Sequence, residues 1–426
     1  VSDQIEIKPT GPLNASIRPP GSKSITNRAL ICAALAEGES VLTGALDSED
    51  TGVMVAALRQ LGLQVAHDTS TSSIRVAGCG GALPNHRAEL DVANSGTTIR
   101  FLTAMLATCR GHFRLDGIAR MRERPIADLL AALEQLGGAA ASEYANGCPP
   151  VIIPANGLRG GTATIRGDIS SQYLSGLLMA APYAQHSVIL DVEGELVSKP
   201  YVTMTLGVMS AFGIDVGAER LDRFVIPTGR YRGCHYDIEP DASAASYFWG
   251  AAAVTGGTVR VEGLHRNALQ GDVAFCECLA RMGCEIEYGN DYITVIGKSL
   301  RGITVDMNAI SDTAQTLAVV ALFADGPTTI TGVAHIRHKE TDRVGDLARE
   351  LRKLGAKVDE FEDGLTVTPQ PLRPATLDTY NDHRMAMSFA VAGLRAPGIV
   401  INDPACTRKT YPRFFEDVSG LTDGNA

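Results

Sequence analysis

Hydrophobic and polar positions along this chain repeat as a block rather than as a plain alternation. Each block holds a small polar cluster, an Ala- and Leu-rich helical stretch, a Gly turn and a short run of β-type residues. Six copies begin near Ser22, Asn94, Ser170, Asp241, Asp312 and Asn381, at intervals of 72, 76, 71, 71 and 69 residues. On the same beat a helical run ends in an apolar residue and Gly, at Leu61-Gly62, Leu136-Gly137, Phe212-Gly213, Met282-Gly283 and Leu354-Gly355. Glycine suits a helix C-terminus that needs positive φ. Alternating runs follow, such as Ser73-Ile74-Arg75-Val76, Arg223-Phe224-Val225-Ile226 and Tyr292-Ile293-Thr294-Val295. Each unit therefore reads β-α-β-α-β-β. The period exceeds that of common solenoid repeats, so each unit is expected to be a small α/β layer burying its face against other copies.

The sixth copy stops short, with the strand Ile399-Val400-Ile401-Asn402 followed only by an amphipathic stretch near Phe414. Its missing strand is expected at the other terminus, where Ile5-Glu6-Ile7-Lys8-Pro9-Thr10-Gly11 resembles Val225-Ile226-Pro227-Thr228-Gly229 of the third unit. Two domains of three units follow, one inserted (21–240) and one discontinuous (1–20 with 241–426). The crossings fall at Pro19-Pro20-Gly21 and Glu239-Pro240, where periodicity is interrupted. Two connections between domains suggest a hinge.

Composition narrows the function. With 426 residues the chain is too long for one typical core. No apolar stretch is long enough to span a bilayer and no leader pattern opens the chain, so cytoplasmic location is expected. Nine Cys without CxxC spacing favour reduced thiols, and Cys276 and Cys278 read as core packing. Nine His show no metal-ligand spacing, so no metal is expected. A formal net charge of −10 argues against a nucleic-acid binder.

Basic residues must then be judged by position. Helix N-termini are electropositive and disfavour Lys and Arg, yet five starts carry them. Lys23 and Arg28 flank the helix opening at Ser24, and Arg122 and Arg124 precede Pro125, a natural first helical residue. Lys199 precedes Pro200, Lys339 and Arg343 share the first turn of another helix, and Arg384 follows Asn381 by less than a turn. Any one of these reads best as a solvated side chain; five in a repeated architecture point to anionic ligands held by N–H groups, dipoles and cations together. Gly21-Ser22-Lys23-Ser24, Asn94-Ser95-Gly96-Thr97 and Ser170-Ser171-Gln172 supply small donors at such junctions. A P-loop is excluded, because Ser22 separates Gly21 from Lys23 and the position five before Gly21 is Ser16. Among acid-base candidates, Asp312 reads as an N-cap and Glu340 as half of a surface ion pair. Cations nearby would keep either ionised, while burial beside an anionic ligand would raise its pKa, a balance suited to proton transfer.

The motifs Pro20-Gly21-Ser22-Lys23-Ser24-Ile25-Thr26-Asn27-Arg28, Asn94-Ser95-Gly96-Thr97, Arg122-Glu123-Arg124-Pro125-Ile126, Ser170-Ser171-Gln172-Tyr173, Val197-Ser198-Lys199-Pro200-Tyr201, Lys339-Glu340-Thr341-Asp342-Arg343 and Asn381-Asp382-His383-Arg384-Met385-Ala386-Met387 occur in this order. Through them the chain resembles, nearly end to end, the 5-enolpyruvylshikimate-3-phosphate synthases of the enolpyruvyl transferase family. The resemblance implies an α/β fold, a two-domain inside-out α/β barrel of six βαβαββ units with the active site in the interdomain cleft. It implies enolpyruvyl transfer from phosphoenolpyruvate to the 5-hydroxyl of shikimate 3-phosphate by addition and elimination, in a monomer with no cofactor. By the same resemblance Asp312 is the base on the hydroxyl, Glu340 the proton donor and acceptor at C3, and Lys23 a contact to both substrates. Ser24, Arg28, Ser170, Ser171, Gln172, Ser198, Tyr201, Asp312, His335 and Lys339 would hold shikimate 3-phosphate. Asn94, Gly96, Thr97, Arg124, Gln172, Arg343, Arg384 and Lys409 would hold phosphoenolpyruvate.

Two positions depart from the family pattern. His335 stands where Asn is common, an imidazole whose charge is expected to vary with pH. Phe101 stands where Pro is common and is expected to shift the helix of Gly96 and Thr97, against which the family inhibitor glyphosate binds. The rival enolpyruvyl transferase, acting on UDP-N-acetylglucosamine, carries a reactive loop Cys; residues 111–124 contain none, and Cys109 reads as a buried thiol in the helix after Asn94. A non-catalytic anion-binding scaffold is the third reading, against which Lys23, Asp312 and Glu340 are all present.

Overall fold

Six helices begin at or beside the six polar clusters: α1 Lys23–Leu35, α2 Gly96–Ala107, α3 Ser171–Ala180, α4 Ala242–Thr255, α5 Ala314–Val320 and α6 His383–Gly393. Five are capped by a cluster side chain, with Ser22, Ser95, Ser170, Asp241 and Asp382 each accepting from a backbone N–H of the first turn. The fifth start corrects the sequence reading. Asp312 is not an N-cap but lies in a short 3-10 segment, Asn308–Thr313, broken at Ile310. Its carboxylate is drawn off by cations, described below.

These helices lack a polar face. Every residue of α4 from Ala242 to Val254 is buried, as are all of α2 and α6. A helix apolar or small on every side belongs inside a core, and small residues let neighbours approach closely. At Gly250 an added Cβ would stand 3.1 Å from Thr316 of α5 and 3.7 Å from Val391 of α6. A second set of helices is two-faced. Gly345–Lys353 buries Leu347, Ala348 and Leu351 and exposes Arg349 and Arg352. The glycines expected after five such helices all have positive φ: Gly62 91°, Gly137 79°, Gly213 89°, Gly283 118° and Gly355 100°.

The computed structural model describes residues 3–218 and 220–423; residues 1–2 and 424–426 of the expected discontinuous domain lie outside them. Among the described residues, strands form six sheets on one plan, a parallel pair followed by antiparallel partners. Arg87–Asp91 runs parallel to Arg110–Asp116, which pairs antiparallel with Val151–Asn156 and thereby with Ala141–Ser142. Two sheets have three strands. In one, Arg223–Ile226 pairs antiparallel with Val188–Glu193; in the other, the N-terminal Gln4–Ile7 pairs antiparallel with Ile399–Asn402. The N-terminus thus supplies the sixth sheet with the strand its own block lacks.

The first strands of blocks one and four are exchanged. Asn14–Ile17, which precedes α1, pairs with Thr258–Glu262, and His235–Asp237, which precedes α4, pairs with Glu39–Thr43. The chain accordingly divides into two compact units, Val1–Pro20 with Glu239–Ala426, and Gly21–Ile238. Glu239 and Pro240 belong to the first of these, since Glu239 accepts from the Leu269 amide and from Gln270, which also donates to the Pro240 carbonyl. No described helix is long and apolar enough to cross a membrane.

Candidate active site

Within the unit Gly21–Ile238, the starts of α1, α2 and α3 are tied together by buried polar side chains. Asn27 of α1 donates to Thr97 of α2 at 2.7 Å. Arg28, 1 % exposed, donates from Nε to Thr205, from Nη1 to the Ser24 carbonyl and from Nη2 to Ser175 and the Tyr201 carbonyl. Phe101 and Tyr201 lie against its guanidinium at 5.2 and 6.0 Å. None of these partners is charged, and burial pushes the Arg28 pKa down to about 10. Lys23 opens α1 with its ammonium 3.4 Å from the buried Asp50.

Arg124 Nη1 donates to both the carbonyl and the side-chain oxygen of Asn94. Arg100 bonds the Gly96 carbonyl, the Pro125 carbonyl and Gln172 Oε1 at 2.9 Å. A Cβ on Gly96 would fall within 2.5 Å of Arg100 Nη1 and closer still to Arg124 Nη2. Ser170 caps α3, Ser171 is buried, and Ser198 starts the helix Lys199–Ala211 from a left-handed φ of 54°.

In the other unit the cations share carboxylates. Asp312 takes Lys339 Nζ at 2.5 Å and Arg343 Nη1 at 3.3 Å on Oδ1, and Arg384 Nη2 at 2.7 Å on Oδ2. Burial would raise its carboxyl, but Arg384, Lys339 and Arg343 together hold it well below the usual carboxylate range. Burial pushes the Lys339 ammonium down, against the pull of Asp312. Arg343, 1 % exposed, forks onto Asp382 at 2.6 and 3.0 Å and reaches Glu340 at 2.9 Å. Against burial, Asp382 and Glu340 push its guanidinium up. Lys409 lies 3.7 Å from Glu340, whose side chain is 7 % exposed, so this carboxylate is buried and not half of a surface pair.

The positional argument from sequence divides on inspection. Lys23, Arg28, Arg124, Arg343 and Arg384 are buried or nearly so. Arg122 and Lys199 are surface cations, Arg122 on Asp116 and Lys199 on Glu195. Pro125 does not open a helix; Ala127–Gln135 starts after Ile126, and the Pro125 carbonyl serves Arg100 and Tyr173. Lys339 and Arg343 do not share a first helical turn either. They lie in the link between the 3-10 segment Ala334–His338 and the helix Gly345–Lys353, which starts late because Asp342 accepts from the Val344 and Gly345 amides.

His335 does not change charge in the working range. Burial, with Lys339 nearby, pushes its pKa down to about 3, and its Nε2 bonds Ser311 at 2.9 Å. Phe101 is fully buried beside Arg28, and the Ser95 cap of α2 is intact. Cys109 lies beyond the C-cap of α2, with burial pushing its thiol up to about 12. Three residues escaped the sequence reading: Asp50, Arg100 and Asp382. The first and last are acids in helix starts, where an acid is ordinary; the cations they hold, Lys23 and Arg343, lie 27 and 39 residues away in sequence, so nothing local signalled them.

The family model for EPSP synthase (3-phosphoshikimate 1-carboxyvinyltransferase) matches residues 7–418. A relative from Nostoc punctiforme named 3-phosphoshikimate 1-carboxyvinyltransferase is 49% identical over 416 residues, covering 97% of this chain and 98% of the relative. A relative of the same name from Shewanella amazonensis is 46% identical over 428 residues, covering 98% and 99%. The solved structure of EPSP synthase from Acinetobacter baumannii superposes with a TM-score of 0.83 at 27% identity, covering 98% of each chain. On fold, sequence and site motifs alike, this chain belongs to the EPSP synthase (3-phosphoshikimate 1-carboxyvinyltransferase) family.

Proposed function

We propose that the chain transfers the enolpyruvyl group of phosphoenolpyruvate to the 5-hydroxyl of shikimate 3-phosphate, with Asp312 and Glu340 moving the protons. The observation that carries this reading is the buried network in which Lys339, Arg343 and Arg384 converge on Asp312 while Arg343 and Lys409 hold Glu340. Asp312 takes the hydroxyl proton as the oxygen bonds C2, and Glu340, entering the step as its neutral acid, protonates C3. The tetrahedral adduct then loses phosphate from C2, which leaves with the proton held by Asp312, while the carboxylate of Glu340 takes a proton back from C3 and is again the neutral acid. Cations that neutralise carboxylates in the free protein would turn to the anionic substrates, and Asp312 would gain basicity as they leave it. The same cations stabilise charge on the departing phosphate.

In this reading Ser24, Arg28, Ser170, Ser171, Gln172, Ser198, Tyr201, His335 and Lys339 hold shikimate 3-phosphate. Asn94, Gly96, Thr97, Arg124, Gln172, Arg343, Arg384 and Lys409 hold phosphoenolpyruvate, and Lys23 serves both. The six sheet-and-helix blocks are taken as an inside-out α/β barrel with three blocks per domain. Closure on the substrates should compact the molecule in scattering.

Mixing the protein with phosphoenolpyruvate and shikimate 3-phosphate should release inorganic phosphate. Release that requires UDP-N-acetylglucosamine instead would overturn the assignment.

A further inference from the structure

Lys339 and Glu340 stand in a stretch without regular structure, between the segment Ala334–His338 and the helix Gly345–Lys353. Two side chains needed within ångströms of reacting atoms are thus carried on backbone that no ladder of hydrogen bonds fixes. Arg337 closes this stretch. Its Nη1 bonds both oxygens of Asp342, at 3.0 and 2.9 Å, and Glu360 at 3.0 Å. Its Nη2 donates to the Phe361 carbonyl at 2.7 Å and its Nε to the Glu362 carbonyl at 2.9 Å. Asp342 in turn caps the following helix through the Val344 and Gly345 amides.

Every nitrogen of one guanidinium therefore joins the start of the loop, its end, and the turn of the hairpin Lys357–Phe361 and Gly364–Thr368. The hairpin turn grips the incoming chain as well, since Asp363 accepts from the Gly332 and Val333 amides. Arg337 is 21 % exposed and Asp342 46 %, so the pair adds little to stability. What a planar fork with five directed donors does supply is fixed geometry.

We propose that Arg337 is a positioning residue: stapling Asp342 to the hairpin turn, it holds residues 338–341 in the one course that presents Lys339 and Glu340 to the Asp312 and Arg343 network. The proposal rests on the functional reading above, in which Lys339 and Glu340 belong to the site. The bonds of Arg337 run to Asp342, Glu360, Phe361 and Glu362, so its effect passes through the loop.

The test compares wild type, Arg337→Ala and Arg337→Lys for phosphate release, melting temperature and response to added guanidinium ion. Misplacement of catalytic groups by about an ångström costs about 10²-fold in rate, and Arg337→Ala should lose kcat on that scale while melting within a few degrees of wild type. Low concentrations of guanidinium ion should restore part of that rate. Arg337→Lys, whose single ammonium cannot span two carboxylates and two carbonyls, should recover less than wild-type kcat. Unchanged kcat in Arg337→Ala overturns the staple, as does a loss of rate matched by collapse of the melting temperature and unrelieved by guanidinium. Should Arg337→Ala not fold, Asp342→Asn decides: it keeps an acceptor for the helix amides, so lower kcat at an unaltered melting temperature supports the staple and unaltered kcat refutes it. Wild type that releases no phosphate would instead indict the functional reading.

Discussion

Arg28 and Arg343 are both 1 % exposed, and their surroundings are opposite. Arg28 rests on hydroxyls, carbonyls and aromatic faces, and burial lowers its pKa to about 10. Arg343 is forked onto Asp382 and shared with Glu340 and Asp312, which raise its pKa against the same burial. A buried cation held by neutral groups is a charge awaiting an anion, whereas one embedded among carboxylates sets their protonation. Under the proposed function, the unit Gly21–Ile238 would accordingly contribute binding, and the other unit chemistry as well.

The largest consequence concerns Glu340. Glu340→Ala should lower kcat by about 10²–10⁴-fold, the range for a lost acid-base group, while titration calorimetry still detects shikimate 3-phosphate binding. Next, Arg343→Met strips the buried Asp382 of its forked cation and takes one cation each from Glu340 and Asp312, and should destabilise the fold by about 3–5 kcal/mol in denaturant titration. Arg28→Met strands only neutral groups, so its stability should match or exceed wild type while substrate binding falls. Equal destabilisation by the two substitutions would break the contrast.

Much of this was legible in sequence because the repeat is written in spacing. Five C-terminal glycines, the polar clusters at the helix starts and the likeness of residues 5–11 to 225–229 each report local backbone demands, which a sequence states directly. The exchange of Asn14–Ile17 and His235–Asp237 was not legible, because pairing partners depend on which block lies adjacent in space. Arg122 looked as promising as Arg124, and only folding shows that Asp116 engages one and Asn94 the other. His335 was misread for a similar reason: its neutrality comes from burial and from Lys339, a distance effect rather than a composition effect.

Smaller effects sharpen the picture. Gly96→Ala forces Arg100 and Arg124 apart and should cost about 1–3 kcal/mol of phosphoenolpyruvate binding, read as a raised KM, with less change in shikimate 3-phosphate affinity. The effect at His335 is confined to acid pH. Its pKa is about 3 folded and about 6.5 unfolded, so between those values the unfolded chain binds the extra proton. Its contribution to stability is complete above pH about 6.5 and is lost as pH falls toward 3. His335→Asn should therefore flatten the acid limb of a melting-temperature profile, and an unchanged limb would remove the effect.

The division of labour is tested most directly by initial rate against shikimate 3-phosphate concentration, for Arg28→Met and Glu340→Gln together with wild type. The account predicts that Arg28→Met shifts the curve to higher concentration with most of its plateau retained. Glu340→Gln should keep the half-saturation point and lose the plateau. The reverse pattern, or loss of plateau alone in both variants, would contradict it.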